Sequence, residues 1–318
     1  MAPARSLPKC SPVAAPEVTA NNCKPLRMAI IGLGKMGRLH LKTWQRIPEV
    51  QVAAIVDHDT RLTEWVEKQG AAFLDDVRAL PGLIDFAVVA TPSAAHLDSA
   101  LPLLEAGIHC LIEKPLALDF SASRTLVSAA RSHQTLLAVG HSERFNPSIH
   151  LAHSAVAAKE CTVEVIRAAP YASTQSDSDV VQDLMVHDID WILQALGPPL
   201  GEVNVLEKRS RKGQLSHVSC RLSFADGKRV TLTACREADV KRRHVVLLEG
   251  NQVSQLIDLD SPVSADEPDA LTRQAMAFLH ALQGRPSPIA LGSQALAVMH
   301  LSDRVRLRCM SSTEGVTA

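Results

Sequence analysis

The stretch that most constrains this chain is Leu26-Arg27-Met28-Ala29-Ile30-Ile31-Gly32-Leu33-Gly34-Lys35-Met36-Gly37. Met28 to Ile31 is a short apolar run of the kind that forms a buried strand. It leads directly into Gly32-x-Gly34-x-x-Gly37, and Arg38 to Ile47 then carries a helical pattern. That order is the context of a dinucleotide-binding turn. Gly32 permits the tight turn, Gly34 lets the main chain approach a pyrophosphate, and Gly37 lets the helix pack on the strand. The free N–H groups and positive end of the helix suit phosphates, and Lys35 and Met36 in the turn are expected at the cofactor. A second strand, Val50 to Val56, ends at Asp57, where a carboxylate accepts hydrogen bonds from an adenosine ribose. Asp57 favours NAD, because a carboxylate repels a 2′-phosphate, while His58 and Arg61 leave an opening for NADP. The alternative is a glycine turn in an α/β domain that holds no ligand.

Strands and helices alternate up to residue 145. Strands are expected at Asp85–Ala90, His109–Ile112 and Leu136–Val139, and helices at Thr60–Gln69, His96–Ala106 and Ser121–His133. This predicts an α/β fold with a doubly wound parallel sheet. Right-handed crossovers bring the strand C-termini to one edge, so Asp57, Thr91, Pro92, Glu113, Lys114 and His141 should line one cleft.

After Pro147 the pattern changes. A helix, Asp183 to Leu196, is followed by strand-like segments from Glu202 to Leu259 with glycine turns between them. These predict a second, α+β domain with an open antiparallel sheet. The expected limits are a disordered leader at 1–25, a Rossmann domain at 26–145, an α+β domain at 146–310 and a loose tail at 311–318. The leader has no apolar h-region. Net charge of −1 gives no electrostatic footprint for nucleic acid or an anionic membrane, and no apolar run approaches a membrane span. The seven scattered cysteines argue against a disulfide framework or zinc site and fit a reducing cytoplasm.

Lys114, between Glu113 and Pro115 at a strand end, is placed to bond a substrate hydroxyl and stabilise an alkoxide, or else is a surface lysine. Asp183 and His187 share a helical face with Asp190 and Gln194. A histidine between acids suits a general base. The same pattern also describes a solvated i,i+4 pair with Asp183 as an N-terminal acid, or ligands for a metal, although no second histidine lies nearby. Arg144 and Asn146, in the junction between domains, are candidates to reach a polar substrate, with Arg167 and Tyr171 ending a strand nearby.

These pieces together resemble the Gfo/Idh/MocA family of sugar oxidoreductases. The likeness rests on Gly32-x-Gly34-x-x-Gly37, Thr91-Pro92 with His96, Glu113-Lys114-Pro115 and Asp183-x-x-x-His187-Asp188-Ile189-Asp190, in matching order and spacing over residues 26 to 310. It implies Lys114, Asp183 and His187 as the catalytic group and no metal. It also implies Thr91, Pro92, His96, Glu113 and Lys114 at the cofactor, and Arg144, Asn146, Tyr171 and His187 at the substrate. A homodimer or homotetramer through the second sheet is a further implication. Val139–Pro147 and Asp183–Asp190 resemble most the nucleotide-sugar branch, which implies oxidation at C3 of a UDP-N-acetyl sugar for cell-surface lipid. The alternatives are an inositol or free-sugar dehydrogenase, or a non-catalytic NAD(P)-sensing regulator. The segment 170–182 departs from the family in lacking its arginine and its glycine before Asp183.

Overall fold

The structure is a computed structural model that describes residues 24–158, 162–171, 178–261 and 267–311. Residues 1–23 of the expected leader, the segment 172–177, the tail beyond Ser311 and Cys10, Cys23 and Cys161 lie outside the described residues.

The first domain runs β1 (Leu26–Ile31), α1 (Lys35–Trp44), β2 (Val50–Val56), α2 (Thr63–Lys68), β3 (Ala72–Leu74), β4 (Phe86–Val89), α3 (His96–Glu105), β5 (His109–Glu113), α4 (Phe120–Ser132) and β6 (Leu137–Gly140). The second contains α5 (Pro147–Ala158), β7 (Thr162–Ala168), α6 (Val186–Leu196), β8 (Leu200–Arg211), β9 (Gln214–Ser223), β10 (Arg229–Cys235), β11 (Arg242–Glu249) and β12 (Gln252–Asp258). The chain closes with α7 (Ala270–Leu282), β13 (Ala290–Leu291) and α8 (Gly292–Ser311).

The first sheet has the order β13-β6-β5-β4-β1-β2-β3. Its strands are parallel except β13, which pairs antiparallel with β6. Parallel strands are covered on both faces, so their residues read as near-continuous apolar runs. Thus Met28 and Ile30 pack on one side with Trp44 and Phe86, and Ala29 and Ile31 on the other with Leu103 and Ile112. The second sheet has the order β12-β11-β7-β10-β9-β8, antiparallel as expected except that β7 and β10 run parallel. The long excursion through α6, β8 and β9 between them makes that pairing possible.

The packing does not follow the expected division at residue 146. Phe278 of α7 joins Trp44 and Phe86 in an aromatic cluster with centroids 5.2–6.5 Å apart. β13 extends the first sheet, and α8 is shared, with Met299 in the first domain's core and Val305 in the second's. The reason is apolar surface: both faces of a parallel sheet need cover, and the first domain's own helices leave part of it open.

Polar clamps fix the domains to each other. The Arg144 guanidinium donates to both carboxylate oxygens of Asp190 on α6, at 2.6 and 2.8 Å, and to Gln294 Oε1 of α8 at 2.9 Å. The Arg144 and Asp190 side chains are only 5% and 3% exposed. Arg144, expected at the substrate, is thus held in a buried clamp between the domains. Removing one partner of such a pair strands a buried charge. Arg144→Ala should cost about 3–5 kcal/mol, read as a lower urea midpoint, and a loss under 1 kcal/mol would contradict the clamp.

Candidate active site

The cofactor edge is built from the turn after β1. Gly32 has φ of +88°, a conformation that side chains resist, and a Cβ on Gly37 would lie 1.9 Å from the Gly32 carbonyl oxygen. Gly34, in contrast, has open space where a Cβ would stand, on the side left for a ligand. Lys35 and Met36 already belong to α1, which starts before the expected Arg38. Asp57 is fixed by main-chain donors: Leu33 N–H gives to Oδ2 at 2.7 Å and Asp59 N–H to Oδ1 at 2.9 Å. Arg61 is bound to Asp59 at 2.7 and 2.8 Å, which draws it away from the opening for NADP. Asp57, Gly34, Thr91 and Pro92 line one cleft of about 560 Å³. Farther along the edge, Thr91 Oγ1 and His141 Nδ1 are buried with no partner among the described residues. An open glycine cradle, a fixed ribose acceptor and orphaned polar atoms fit a dinucleotide.

The next strand end forms the floor. Glu113 is buried: its Oε1 meets His40 Nε2 at 2.8 Å and its Oε2 accepts the Lys114 N–H at 3.3 Å. A side chain on Gly140 would strike this carboxylate. Glu113 thus braces the lysine turn against α1. His96 is buried too, with Nδ1 2.9 Å from Pro115 O and Nε2 3.0 Å from Thr91 O. It ties the Thr91 loop to the Lys114 turn.

The roof comes from the second domain. Asp179 accepts the N–H groups of Val181 and Gln182, and a π-helical turn, Val181–Met185, precedes α6. The helical segment therefore starts before the expected Asp183, and Asp183 sits within it rather than capping it. Lys114 Nζ donates to Asp183 Oδ1 and to its carbonyl oxygen, both at 3.0 Å. Arg236 pairs with Asp183 Oδ2 at 2.8 Å and donates to Ser178 O. Burial pushes the Asp183 carboxyl up, but Lys114 and Arg236 more than offset it, and the net shift is downward. Two of the three lysine donors are thus taken, which leaves one for a substrate oxygen.

Burial, reinforced by Lys114, Arg167, His141 and Arg243, holds His187 well below the ordinary histidine value. It is neutral near pH 7, and its Nδ1 is buried without a partner. Lys114, Asp183 and His187, far apart in sequence, converge on one cleft. The other substrate candidates have partners within the protein. Asn146 donates to Leu259 O at 2.9 Å and accepts from Ser148 N–H, so it fastens a junction. Tyr171 lies under the Arg211 guanidinium, 4.2 Å from its ring. Arg167 pairs with Asp188 at 2.8 Å. Asp190 is taken by Arg144, and among the described residues no cluster suits a metal ion. Arg236 was not anticipated. The only signal was a charge at the end of an apolar strand, which also describes a surface residue.

Comparison with known proteins agrees with this geometry. Residues 26–141 match the family model GFO_IDH_MocA, described as an oxidoreductase family with an NAD-binding Rossmann fold. Over 173 residues the chain is 33% identical to the UDP-N-acetylglucosamine 3-dehydrogenase of Acidithiobacillus ferrooxidans, spanning 54% of this chain and 55% of that protein. The alignment thus spans about half the length of that relative. A solved structure of the same enzyme superposes with a TM-score of 0.78 at 26% identity, covering 90% of this chain and 98% of that one. The inositol 2-dehydrogenase of Rhizobium meliloti is 23% identical over 260 residues, 76% of this chain and 78% of the relative.

Three buried histidines set an acid limit on stability. Burial is the largest cause lowering each of His96, His141 and His187. Below about pH 6.5 the unfolded chain binds protons that the folded chain refuses, so stability falls as pH falls. The thermal midpoint should therefore drop steadily from about pH 7 to about pH 5.5, measured by scanning calorimetry. A midpoint that stays level or rises over that range would contradict the burial of these rings in neutral form.

Proposed function

Residues 26–141 belong to the Gfo/Idh/MocA oxidoreductase family, and on that premise we propose that this chain is an NAD-dependent dehydrogenase that oxidises a sugar hydroxyl to a ketone. The observation that carries the reading is the Lys114 ammonium, held by Asp183 beside a neutral His187 at the end of the cofactor edge.

NAD, when bound, supplies the hydride acceptor. The chain's residues handle the proton and the charge. His187 takes the hydroxyl proton, and its lowered proton affinity keeps it unprotonated at neutral pH. Lys114 gives its remaining N–H to the substrate oxygen and stabilises the alkoxide as it forms. Asp183 positions the lysine, and Arg236 holds the other oxygen of that carboxylate.

The finer reading is oxidation at C3 of a UDP-N-acetyl sugar, in the cytoplasm. It is supported by the likeness to the Acidithiobacillus enzyme in sequence and structure. A free polyol such as an inositol is the second reading. It is favoured by the commitment of Arg167, Arg236 and Arg243 to carboxylates, which leaves those guanidiniums less available to a diphosphate. No described helix is long and apolar enough to cross a membrane. A homodimer or homotetramer would form through the outer face of the second sheet, where Ile166, Val246 and Leu248 alternate with core residues and Leu256 is exposed.

NADH formation, followed by absorbance with UDP-N-acetylglucosamine, free sugars and inositols, tests the substrate. Turnover confined to the UDP-sugar supports the finer reading, and turnover of inositols alone removes it. His187→Ala should lower kcat by roughly 10²–10⁴-fold with NADH affinity changed less than about twofold; retained turnover would show that another group is the base. In the wild type, kcat/KM should hold as pH falls through about 6.5 and decline only below it. A decline centred on the ordinary histidine value would contradict the lowered His187.

A further inference from the structure

We propose that His141 is a cofactor-binding residue that receives the carboxamide of the nicotinamide ring. This inference rests on the NAD-binding domain and not on which sugar is oxidised.

Its position is set by strand register. β5 and β6 are parallel, with Glu113 opposite Gly140, so His141 lies beside Lys114 on the floor of the cleft. The adenosine end is fixed by Asp57 at the end of β2, and the order β2, β1, β4, β5, β6 places His141 at the opposite end. At about 4.8 Å per strand, the end of β6 lies roughly 19 Å from that of β2 and about one spacing beyond Lys114. A dinucleotide laid along this edge, with its reacting ring at Lys114, brings its terminal carboxamide to that last strand end. Asp183 and His187 hang from the other domain. The floor therefore meets the cofactor and the roof meets the substrate.

The chemistry of the side chain agrees. His141 is 2% exposed, and its Nδ1 is buried with no partner. No hydrogen bond engages Nε2 either, and since that atom is not among the buried unpaired ones it keeps some accessible surface. Burial chiefly, with Arg144 and Lys114, lowers its proton affinity, while Asp190 and Glu113 oppose. In the neutral ring Nε2 either donates to a carboxamide oxygen or accepts from its amide N–H, according to the tautomer. Its main chain is pinned, since the His141 N–H donates to Val139 O at 2.8 Å and its carbonyl accepts the Arg144 N–H at 3.0 Å. The ring is thus oriented before any ligand arrives.

The test compares NADH with ADP-ribose, which has the same adenosine and pyrophosphate but no nicotinamide. NADH binding is followed by its fluorescence, and ADP-ribose by calorimetry, in the wild type and in His141→Phe and His141→Leu. Either variant should weaken NADH about tenfold and leave ADP-ribose within about twofold. The two substitutions fill the space differently, so one that folds poorly does not decide the outcome. Unchanged NADH affinity in a folded variant, or equal weakening of both ligands, would overturn the assignment. A failure to oxidise any sugar would leave this comparison intact, because it needs no turnover.

Discussion

The site depends on one contact across the two domains, the bond of Lys114 Nζ to Asp183. The lysine ends a strand of the cofactor sheet, and the aspartate lies in a helical segment of the other domain. Neither alone makes a site. Together they fix where an ammonium stands relative to the cofactor edge, and they bring His187 of the following turn into the same cleft. Because the pair is only partly buried, each charge keeps some solvation, and the remaining lysine donor stays available. A fully buried pair of the Arg144–Asp190 kind holds domains together but offers nothing to a ligand.

That contrast organises the whole interface. Arg144 with Asp190 and Arg167 with Asp188 are buried bidentate pairs, and Arg243 bridges Glu143 and Asp260. Their role is mechanical. Arg144 with Asp190 and Arg243 with Glu143 tie the junction after β6 to the second domain, and so set the spacing between the floor, where Lys114 and His141 lie, and the roof, where Asp183 and His187 lie, while Arg167 with Asp188 fixes β7 to α6 within the second domain. Beneath the floor, the His40–Glu113 bond braces the lysine turn on the first helix, so the element that faces a pyrophosphate also positions the lysine. Shared proximity to cations and burial then tune the histidines toward their neutral forms.

Much of this was legible in the sequence. The glycine turn, the acid at Asp57 and the alternation of apolar runs with helices are local signals, and the parallel sheet follows from them. Lys114, Asp183 and His187 could be singled out by position, and resemblance to a known family gave them roles. The partners of Arg144, Asn146 and His96 were not legible, for a common physical reason. Polar residues in a linker or at a strand end look alike whether they face a ligand or a distant carboxylate, carbonyl or turn. Their partners, Asp190, Leu259 O, Pro115 O and Thr91 O, are known only once the chain is folded. The parallel pairing of β7 with β10 and the two-residue β13 were also hidden, since long-range pairing leaves no local pattern.

The central claim is that Lys114 and Asp183 act as one unit in catalysis. A double-mutant cycle tests it most directly, with Lys114→Met, Asp183→Asn and the pair compared by kcat/KM on the sugar that the wild type oxidises. If the unit is real, the double variant loses about as much as Lys114→Met alone, because the aspartate acts through the lysine. Losses that simply add would mean that the two residues work independently, and would contradict the account.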